Sequence, residues 1–210
     1  DGSPRSVANA WTIMGKRLPF FDNFEAYTVN TVPTGYTVTN GGFWVSSGVT
    51  PLPTGYLSTK ALFMDDSDPS FQKIINKTGF TATASKTFEF RLRVKAFAPA
   101  GSAIQFLLKS GTTNVFQLAV FPGGSVKYYT GTAPWKDLGL TTPVTLDTWK
   151  AIKVVANASG NTAAIYVDGV LVGNATKATA AATTMNGFSF ASGGSSTNGD
   201  KALFDDVILY

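Results

Sequence analysis

The sequence contains neither cysteine nor histidine among its 210 residues. The absence of cysteine excludes disulfides, thiol nucleophiles and cysteine-ligated metals, and it leaves the redox compartment open. The absence of histidine excludes Ser-His-Asp catalysis, histidine-ligated zinc and any histidine general base. Any enzyme chemistry in this chain would therefore depend on other groups, such as carboxylate, lysine, arginine or tyrosine side chains.

Charged residues are also sparse, at 14% of the chain, and the formal net charge is only +4. No long run of Lys and Arg is present, so the sequence predicts no nucleic-acid partner. No apolar run reaches the roughly 18 residues of a membrane span, so none is predicted. The sequence starts with Asp1 instead of Met, which indicates a processed or excised form, compatible with prior export, and the predicted location is secreted or extracellular.

What the sequence does contain is a strong strand signal at residues 88–97, FEFRLRVKAF. Successive side chains of a strand leave opposite faces, so the apolar and charged residues here separate onto two faces. The apolar residues are Phe88, Phe90, Leu92, Val94 and Ala96, and the charged ones are Glu89, Arg91, Arg93 and Lys95. This pattern predicts a strand in an antiparallel sheet with one buried and one wetted face.

Similar alternation recurs at 104–109, 116–121, 126–130, 149–156 and 163–172, with Gly- and Pro-rich turns between the segments. Asp168 and Gly169 predict a type I′ hairpin turn. The threonines of segment 177–184 favour a loop over a helix. About a dozen short strands without a convincing helix predict an all-β fold, a two-sheet antiparallel β-sandwich of the jelly-roll type.

The first 19 residues lack sustained periodicity and are predicted to form an N-terminal arm, followed by one sandwich domain at residues 20–210. Trp11, Ile13 and Met14 make this arm more apolar than a typical linker. Residues 7–18 therefore suggest self-association by strand exchange. On this alternative the protein is a self-assembling extracellular or virion structural subunit.

Three short segments carry a resemblance: FDNFE at 21–25, STKAL at 58–62 and FDDV at 204–207. They resemble the segments that build the calcium site of jelly-roll carbohydrate-binding modules. The strand from Trp149 and the motif YVDG at 166–169 are similar to the laminin-G and concanavalin A-like superfamily. The resemblance implies a jelly roll that binds carbohydrate without catalysis, with a calcium ion of structural role lying away from the sugar.

The calcium ligands implied by this resemblance are carboxylates of Glu25 and of Asp205 or Asp206, with backbone carbonyls from the Lys60 segment. Ca²⁺ takes six to eight oxygen ligands, and these groups supply oxygens from three distant parts of the chain. The alternative interpretation is that these carboxylates are ordinary charges at a sheet edge. The acidic stretch 65–68 is a separate case: it does not match an EF-hand, because Ser70 and Asn76 replace the required Gly and Glu.

A second set of polar residues is predicted to share the exposed surface of one sheet and to bind an acidic polysaccharide. Arginine pairs with carboxylates and tyrosine offers a flat ring with a polar tip, which suits such a ligand. Trp135, in a loop, is the preferred stacking residue, ahead of Trp44 and Tyr56. The other members of the set are Arg91, Arg93, Gln105, Gln117, Lys127 and Tyr129. Solvation of an outer sheet face is the alternative role for these charges.

Two enzyme classes of this fold require specific sets of side chains. A glycosidase of the laminarinase type needs Glu-x-Asp-x-x-Glu on one strand, and nothing in the sequence matches that pattern. A polysaccharide lyase needs a base and a group that neutralises the uronate, and Tyr129 with Arg91, Arg93 and Gln105 would supply both. A histidine-free lyase acting by β-elimination therefore stays as a further alternative.

Overall fold

The computed structural model describes residues 20–48, 58–68, 70–98, 102–194 and 199–210, and the backbone of two short strands before residue 20. The described residues contain seventeen strands and no helix. They therefore contain no apolar helix that could cross a membrane. The strands are β1 (Thr12–Ile13), β2 (Lys16–Arg17), β3 (Phe20–Asp22), β4 (Thr37–Thr39), β5 (Phe43–Ser47), β6 (Lys60–Asp66), β7 (Ile74–Thr83), β8 (Ser85–Ala96), β9 (Ile104–Ser110), β10 (Thr113–Val120), β11 (Val126–Tyr129), β12 (Lys136–Asp137), β13 (Trp149–Asn157), β14 (Thr162–Val167), β15 (Val170–Thr176), β16 (Met185–Ala191) and β17 (Asp200–Leu209).

Fifteen of these strands form two antiparallel sheets that pack face to face. The seven-stranded sheet has the order β12-β11-β10-β9-β16-β7-β4. The eight-stranded sheet has the order β15-β14-β13-β8-β17-β6-β5, and β3 pairs with the far end of β17. The predicted all-β jelly-roll sandwich is thus confirmed.

The core between the sheets is rich in phenylalanine. On β8 the predicted apolar face is buried, with Phe88, Phe90, Leu92 and Val94 all at most 2% exposed. The Phe190 ring of the facing sheet stacks on Phe204 with the ring centroids 4.0 Å apart. Because alternate residues of each strand enter this core, the remaining residues of the strand must line an outer face.

Two local predictions are also confirmed. Asp168 and Gly169 have φ angles of 51° and 80°, the positive values that a type I′ turn requires, and they join β14 to β15. Segment 177–184 contains no helix.

The predicted arm lies almost wholly outside the described residues, apart from the pairing of β1 with β2. Its boundary at residue 20 and its role in self-association through residues 7–18 therefore stay predictions.

Candidate functional site

The predicted polar surface is divided between the two sheets, which corrects the expectation that its residues share one face. Arg91 and Arg93 lie on β8 of the eight-stranded sheet. Gln105, Gln117, Lys127 and Tyr129 lie on β9, β10 and β11 of the seven-stranded sheet. Strands β8 and β9 are consecutive in the sequence but cross from one sheet to the other, so their outer faces point in opposite directions.

The arginines on the eight-stranded sheet are engaged by carboxylates of the same chain. Arg91 Nε lies 3.5 Å from Asp206 Oδ2, and Arg93 Nη2 lies 3.2 Å from Asp147 Oδ1. Lys95 also contacts the Asp147 carboxylate. Arg93 is only 5% exposed, which contradicts its predicted place on a wetted face. Its neighbours in register are Trp149 and Leu203, whose bulk explains this burial.

The outer face of the seven-stranded sheet carries a connected set of side-chain amides. Gln117 Nε2 donates to Gln105 Oε1 at 2.9 Å, and Gln105 Nε2 donates to the Ser192 carbonyl at 3.2 Å. Asn76 Oδ1 accepts hydrogen bonds from Lys109 Nζ at 3.0 Å and from Ser189 Oγ at 2.6 Å. We call this surface the amide groove, defined by Asn76, Gln105, Lys109, Gln117 and Ser189.

The amide groove is recessed. Gln105 is 7% exposed and Ser189 is fully buried, although both point away from the core. Together with Lys109 and Gln117 they line a depression of about 60 Å³. Burial lowers the pKa of Lys109, whose ammonium group faces this depression. The surface therefore offers partly desolvated polar groups, for which a hydrogen bond to a ligand is worth more than it would be in bulk water.

Aromatic side chains stand at one end of the amide groove. Tyr129 is the register partner of Gln117, and its ring centroid lies 5.4 Å from that of Trp135. The Trp135 ring also meets Phe121 edge to face at 5.3 Å. Lys127 Nζ lies 5.0 Å from the centroid of the Phe121 ring. Of the seven predicted carbohydrate-binding residues, five are thus brought to one sheet or its edge.

Carboxylates are nearly absent from this sheet. Strands β4, β7, β9, β10, β11 and β16 contain no Asp or Glu. The edge strand β12 contributes Asp137, whose Oδ2 lies 3.9 Å from Lys127 Nζ. An anionic ligand on this face would consequently meet lysines and amides instead of like charges.

The residues predicted for a lyase are not brought together. Tyr129 and Gln105 face one side of the sandwich, while Arg91 and Arg93 are on the other sheet. The arginines therefore do not stand where they could neutralise a uronate beside Tyr129.

The residues predicted for calcium do meet, where the loop after β3 contacts the start of β6. Glu25 Oε1 accepts hydrogen bonds from Ser58 Oγ at 2.9 Å and from the backbone N–H groups of Thr59 and Lys60, at 2.6 and 2.7 Å. The Ser58 hydroxyl also lies 2.8 Å from the Lys60 carbonyl. These hydrogen bonds lower the pKa of Glu25 despite the opposing effect of burial.

Asp205 is the unusual member of this group. It is 2% exposed, and burial, together with the nearby charges of Asp206 and Glu25, raises its pKa to about 8. Asp206 instead forms the ion pair with Arg91 described above. A buried carboxylate among other carboxylates is stabilised in its charged form by a cation, so Asp205 is the residue that gains most from one.

The oxygen atoms at this place are suitable ligands for a hard cation, but some of them already accept hydrogen bonds from the protein. Carboxylates of Glu25 and Asp205, the Ser58 hydroxyl and the Lys60 carbonyl are the ligand types that Ca²⁺ prefers. Lys60 Nζ, however, donates to the carbonyls of Glu25 and Tyr27, at 2.8 Å each, and already brings one positive charge to the loop. Within the described residues no three acidic side chains converge, so such a site would depend on two carboxylates and neutral oxygens.

Sequence reasoning missed three members of the amide groove: Asn76, Lys109 and Ser189. Lys109 follows the same alternation as Gln105, and that signal was available. Asn76 and Ser189 are 113 residues apart and meet only because β7 pairs with β16. No local pattern marks them.

A family model of the laminin-G type, described as the concanavalin A-like lectin/glucanases superfamily, matches residues 66–210. The chain belongs to this superfamily, as its resemblance indicated. No curated protein matches the chain.

Solved structures share the fold at low sequence identity. A sialidase has a TM-score of 0.66 at 14% identity over 84% of this chain, and the chain spans only 17% of the sialidase's length. The carbohydrate-binding module CBM66 from Bacillus subtilis has a TM-score of 0.53 at 19% identity, over 87% of this chain and 98% of that one. The alginate lyase AlyC3 has a TM-score of 0.53 at 12% identity, over 81% of this chain and 78% of that one. At these identities the likeness concerns the fold alone.

Proposed function

We propose that this chain is a non-catalytic carbohydrate-binding module whose ligand lies in the amide groove and against the ring of Trp135. The observation that carries the proposal is the recessed face with an aromatic end, on which Asp137 of the edge strand is the one acid among the described strands. Amides hydrogen-bond sugar hydroxyls as donors and as acceptors, and aromatic rings pack on the apolar faces of pyranose rings. The CBM66 structure, a carbohydrate-binding module by its title, supports the proposal because it has this fold.

The residues of this face do not support a hydrolytic function. A glycosidase requires two carboxyl groups at a defined separation, and the six strands that form the floor of the face carry none. The lyase alternative is not supported, because the arginines that would neutralise the uronate lie on the other sheet. Binding without bond cleavage is therefore the role that these residues support best.

Retention on immobilised polysaccharide tests the location of the site. We expect Trp135→Ala and Gln117→Ala each to weaken retention about tenfold, since each removes one stacking or hydrogen-bonding contact. Matched controls lie on the eight-stranded sheet: Trp44→Ala, next to Phe63, and Arg91→Ala. Both controls should be retained like the wild type. Equal loss in the groove and control variants would contradict the proposal, as would release of unsaturated uronates from the polysaccharide.

Lys109→Met tests whether the ligand is acidic. Methionine keeps an apolar stem but removes the ammonium group that faces the depression. We expect weaker binding to acidic polysaccharides such as alginate or pectate, a smaller dependence of that binding on salt, and unchanged binding to neutral ones. Lys86→Met, a buried lysine of β8 on the other sheet, serves as the control. Equal loss on acidic and neutral polysaccharides would show that Lys109 holds the groove in shape and does not recognise charge.

We also propose that a calcium ion binds between Glu25 and Asp205, with the Lys60 carbonyl as a neutral ligand. The supporting observation is that the Asp205 carboxylate is buried close to the negative charges of Asp206 and Glu25. The ion would fix the loop after β3 to the middle of β17 and would take no part in sugar binding.

A further inference from the structure

One end of the sandwich interior is closed by oxygen-bearing side chains. The inward-facing rows of four neighbouring strands each end in a polar residue: Asp66 at the end of β6, Asp200 at the start of β17, Ser192 just after β16 and Ser102 just before β9. All four are fully buried. They continue the rows that hold Met64, Ala202, Phe190 and Ile104 in the core.

The two carboxylates are direct neighbours. Asp66 and Asp200 are register partners on adjacent antiparallel strands and leave the same, inner face. Side chains in such positions have Cβ atoms about 5 Å apart, and like charges placed there repel each other. Their burial adds to this cost, because buried charges are tolerated when they are paired or bind a metal.

Asp200 and Asp66 differ in their hydrogen-bond partners. Asp200 accepts hydrogen bonds from the N–H groups of Ala98 and Gly193, at 2.9 and 3.0 Å, and from the Ser102 hydroxyl. Among the residues that the structure describes, neither carboxylate oxygen of Asp66 has a hydrogen-bond donor. Burial raises the pKa of Asp66, and the nearby Ser192 hydroxyl partly opposes this rise.

Among the described residues, Lys73 is the lysine whose charge acts on Asp66. Lys73 Nζ lies 3.1 Å from Asp68 Oδ2 at the rim, so its charge is already shared with a third carboxylate. Asp66, Asp68, Asp200 and Lys73 together carry a formal charge of −2 if all are ionised. A divalent cation would balance this charge and supply the partner that Asp66 lacks.

We propose that Asp66 and Asp200 bind a divalent hard cation such as Ca²⁺ at this end of the sandwich, with the Ser192 hydroxyl as a neutral ligand. Carboxylate and hydroxyl oxygens are suitable ligands for such an ion, and water completes its coordination. The cation joins the two sheets, because Asp66 and Asp200 belong to one of them and Ser192 follows a strand of the other.

This position also connects the cation to the amide groove. The Ser192 carbonyl accepts hydrogen bonds from Gln72 Nε2 at 2.8 Å and from Gln105 Nε2 at 3.2 Å. A cation that fixes Ser192 therefore fixes the acceptor on which the groove amides are aligned. The site is separate from the one proposed at Glu25, since Asp200 and Asp205 are five residues, or about 17 Å, apart along β17.

Calorimetric titration of Ca²⁺ into the EDTA-treated full chain tests the proposal. The Asp205→Asn background removes the other proposed site, so that one cation is expected to bind per molecule. Adding Asp66→Asn should weaken this binding at least about tenfold, since it removes a charged ligand. Adding Asp65→Asn is the matched control: Asp65 is the next residue, faces outward and pairs with Lys201 at 3.1 Å. This control should leave the affinity unchanged.

Stability in EDTA separates ligand loss from misfolding. Asp66→Asn removes the repulsion from Asp200, so without metal it should have a urea midpoint at least as high as its parent. Ca²⁺ at about 1 mM should raise the melting temperature of the parent by about 5 °C, and that of the Asp66→Asn variant by much less. Absence of Ca²⁺ binding to Asp205→Asn, or equal binding with and without Asp66→Asn, would overturn the proposal.

Discussion

Phe190→Ala is expected to lower the free energy of unfolding by about 3–5 kcal/mol, the range found when a fully buried phenylalanine is truncated. The Phe190 ring is stacked on Phe204 at 4.0 Å and contacts Phe90 at 5.1 Å and Phe188 at 5.7 Å. These rings belong to both sheets, so alanine would leave a cavity at the centre of the contact between the sheets. Urea unfolding followed by tryptophan fluorescence measures the change.

Phe71→Ala is the control, because this side chain is 58% exposed and should change the stability by no more than about 0.5 kcal/mol. If Phe190→Ala does not fold, Phe190→Leu serves in its place, with an expected cost of about 1–2 kcal/mol. A loss below about 1 kcal/mol for Phe190→Ala would mean that Phe190 does not join the sheets as described.

The second large effect concerns pH and Asp205. The folded-state pKa of about 8 lies above the ordinary value near 3.8, so the folded chain keeps a proton that the unfolded chain releases. Stability then falls as pH rises between these two values. In EDTA, we expect the wild type to lose on the order of 3 kcal/mol more than Asp205→Asn between about pH 5 and pH 8. Urea midpoints across this range measure the difference.

The comparison of two proteins isolates Asp205 from other groups. Burial also raises the pKa values of Asp22, Asp66 and Asp206, but these carboxyls are present in both proteins. Parallel pH profiles would show that Asp205 titrates normally. Saturating Ca²⁺ should make the two profiles parallel, because the bound ion keeps Asp205 ionised, while a constant offset remains because only the wild type binds the ion. Profiles that still diverge with pH in Ca²⁺ would refute the calcium site at Glu25 and Asp205.

The sequence predicted which face of a strand is buried better than it predicted which strands lie next to each other. Alternation along β8 correctly assigned Phe88, Phe90, Leu92 and Val94 to the core, because the period of two is a local property of a strand. The same alternation cannot say which sheet a strand joins. β8 lies between β13 and β17, and β9 lies between β10 and β16, so Arg91 and Gln105 face opposite sides of the molecule.

The candidate sites illustrate the same limit. Gln105, Gln117 and Tyr129 could be grouped in advance, because β9, β10 and β11 are joined by short turns and pair in sequence order. Ser189 and Asp66 could not, because their partners Asn76 and Asp200 are distant in sequence. The burial of Arg93 depends likewise on Trp149 and Leu203 of neighbouring strands. Secretion and assembly through residues 7–18 stay predictions.

The two sheets differ in how their basic side chains are neutralised. In the eight-stranded sheet Asp65, Glu89 and Asp206 pair with Lys201, Lys153 and Arg91, whereas the strands of the facing sheet carry four lysines and a single acid, Asp137. A polyanion approaching from solution would be attracted more strongly to the seven-stranded sheet before any contact forms. The domain would therefore reach such a polymer with the amide groove facing it more often than not. This orienting effect would be strongest at low ionic strength.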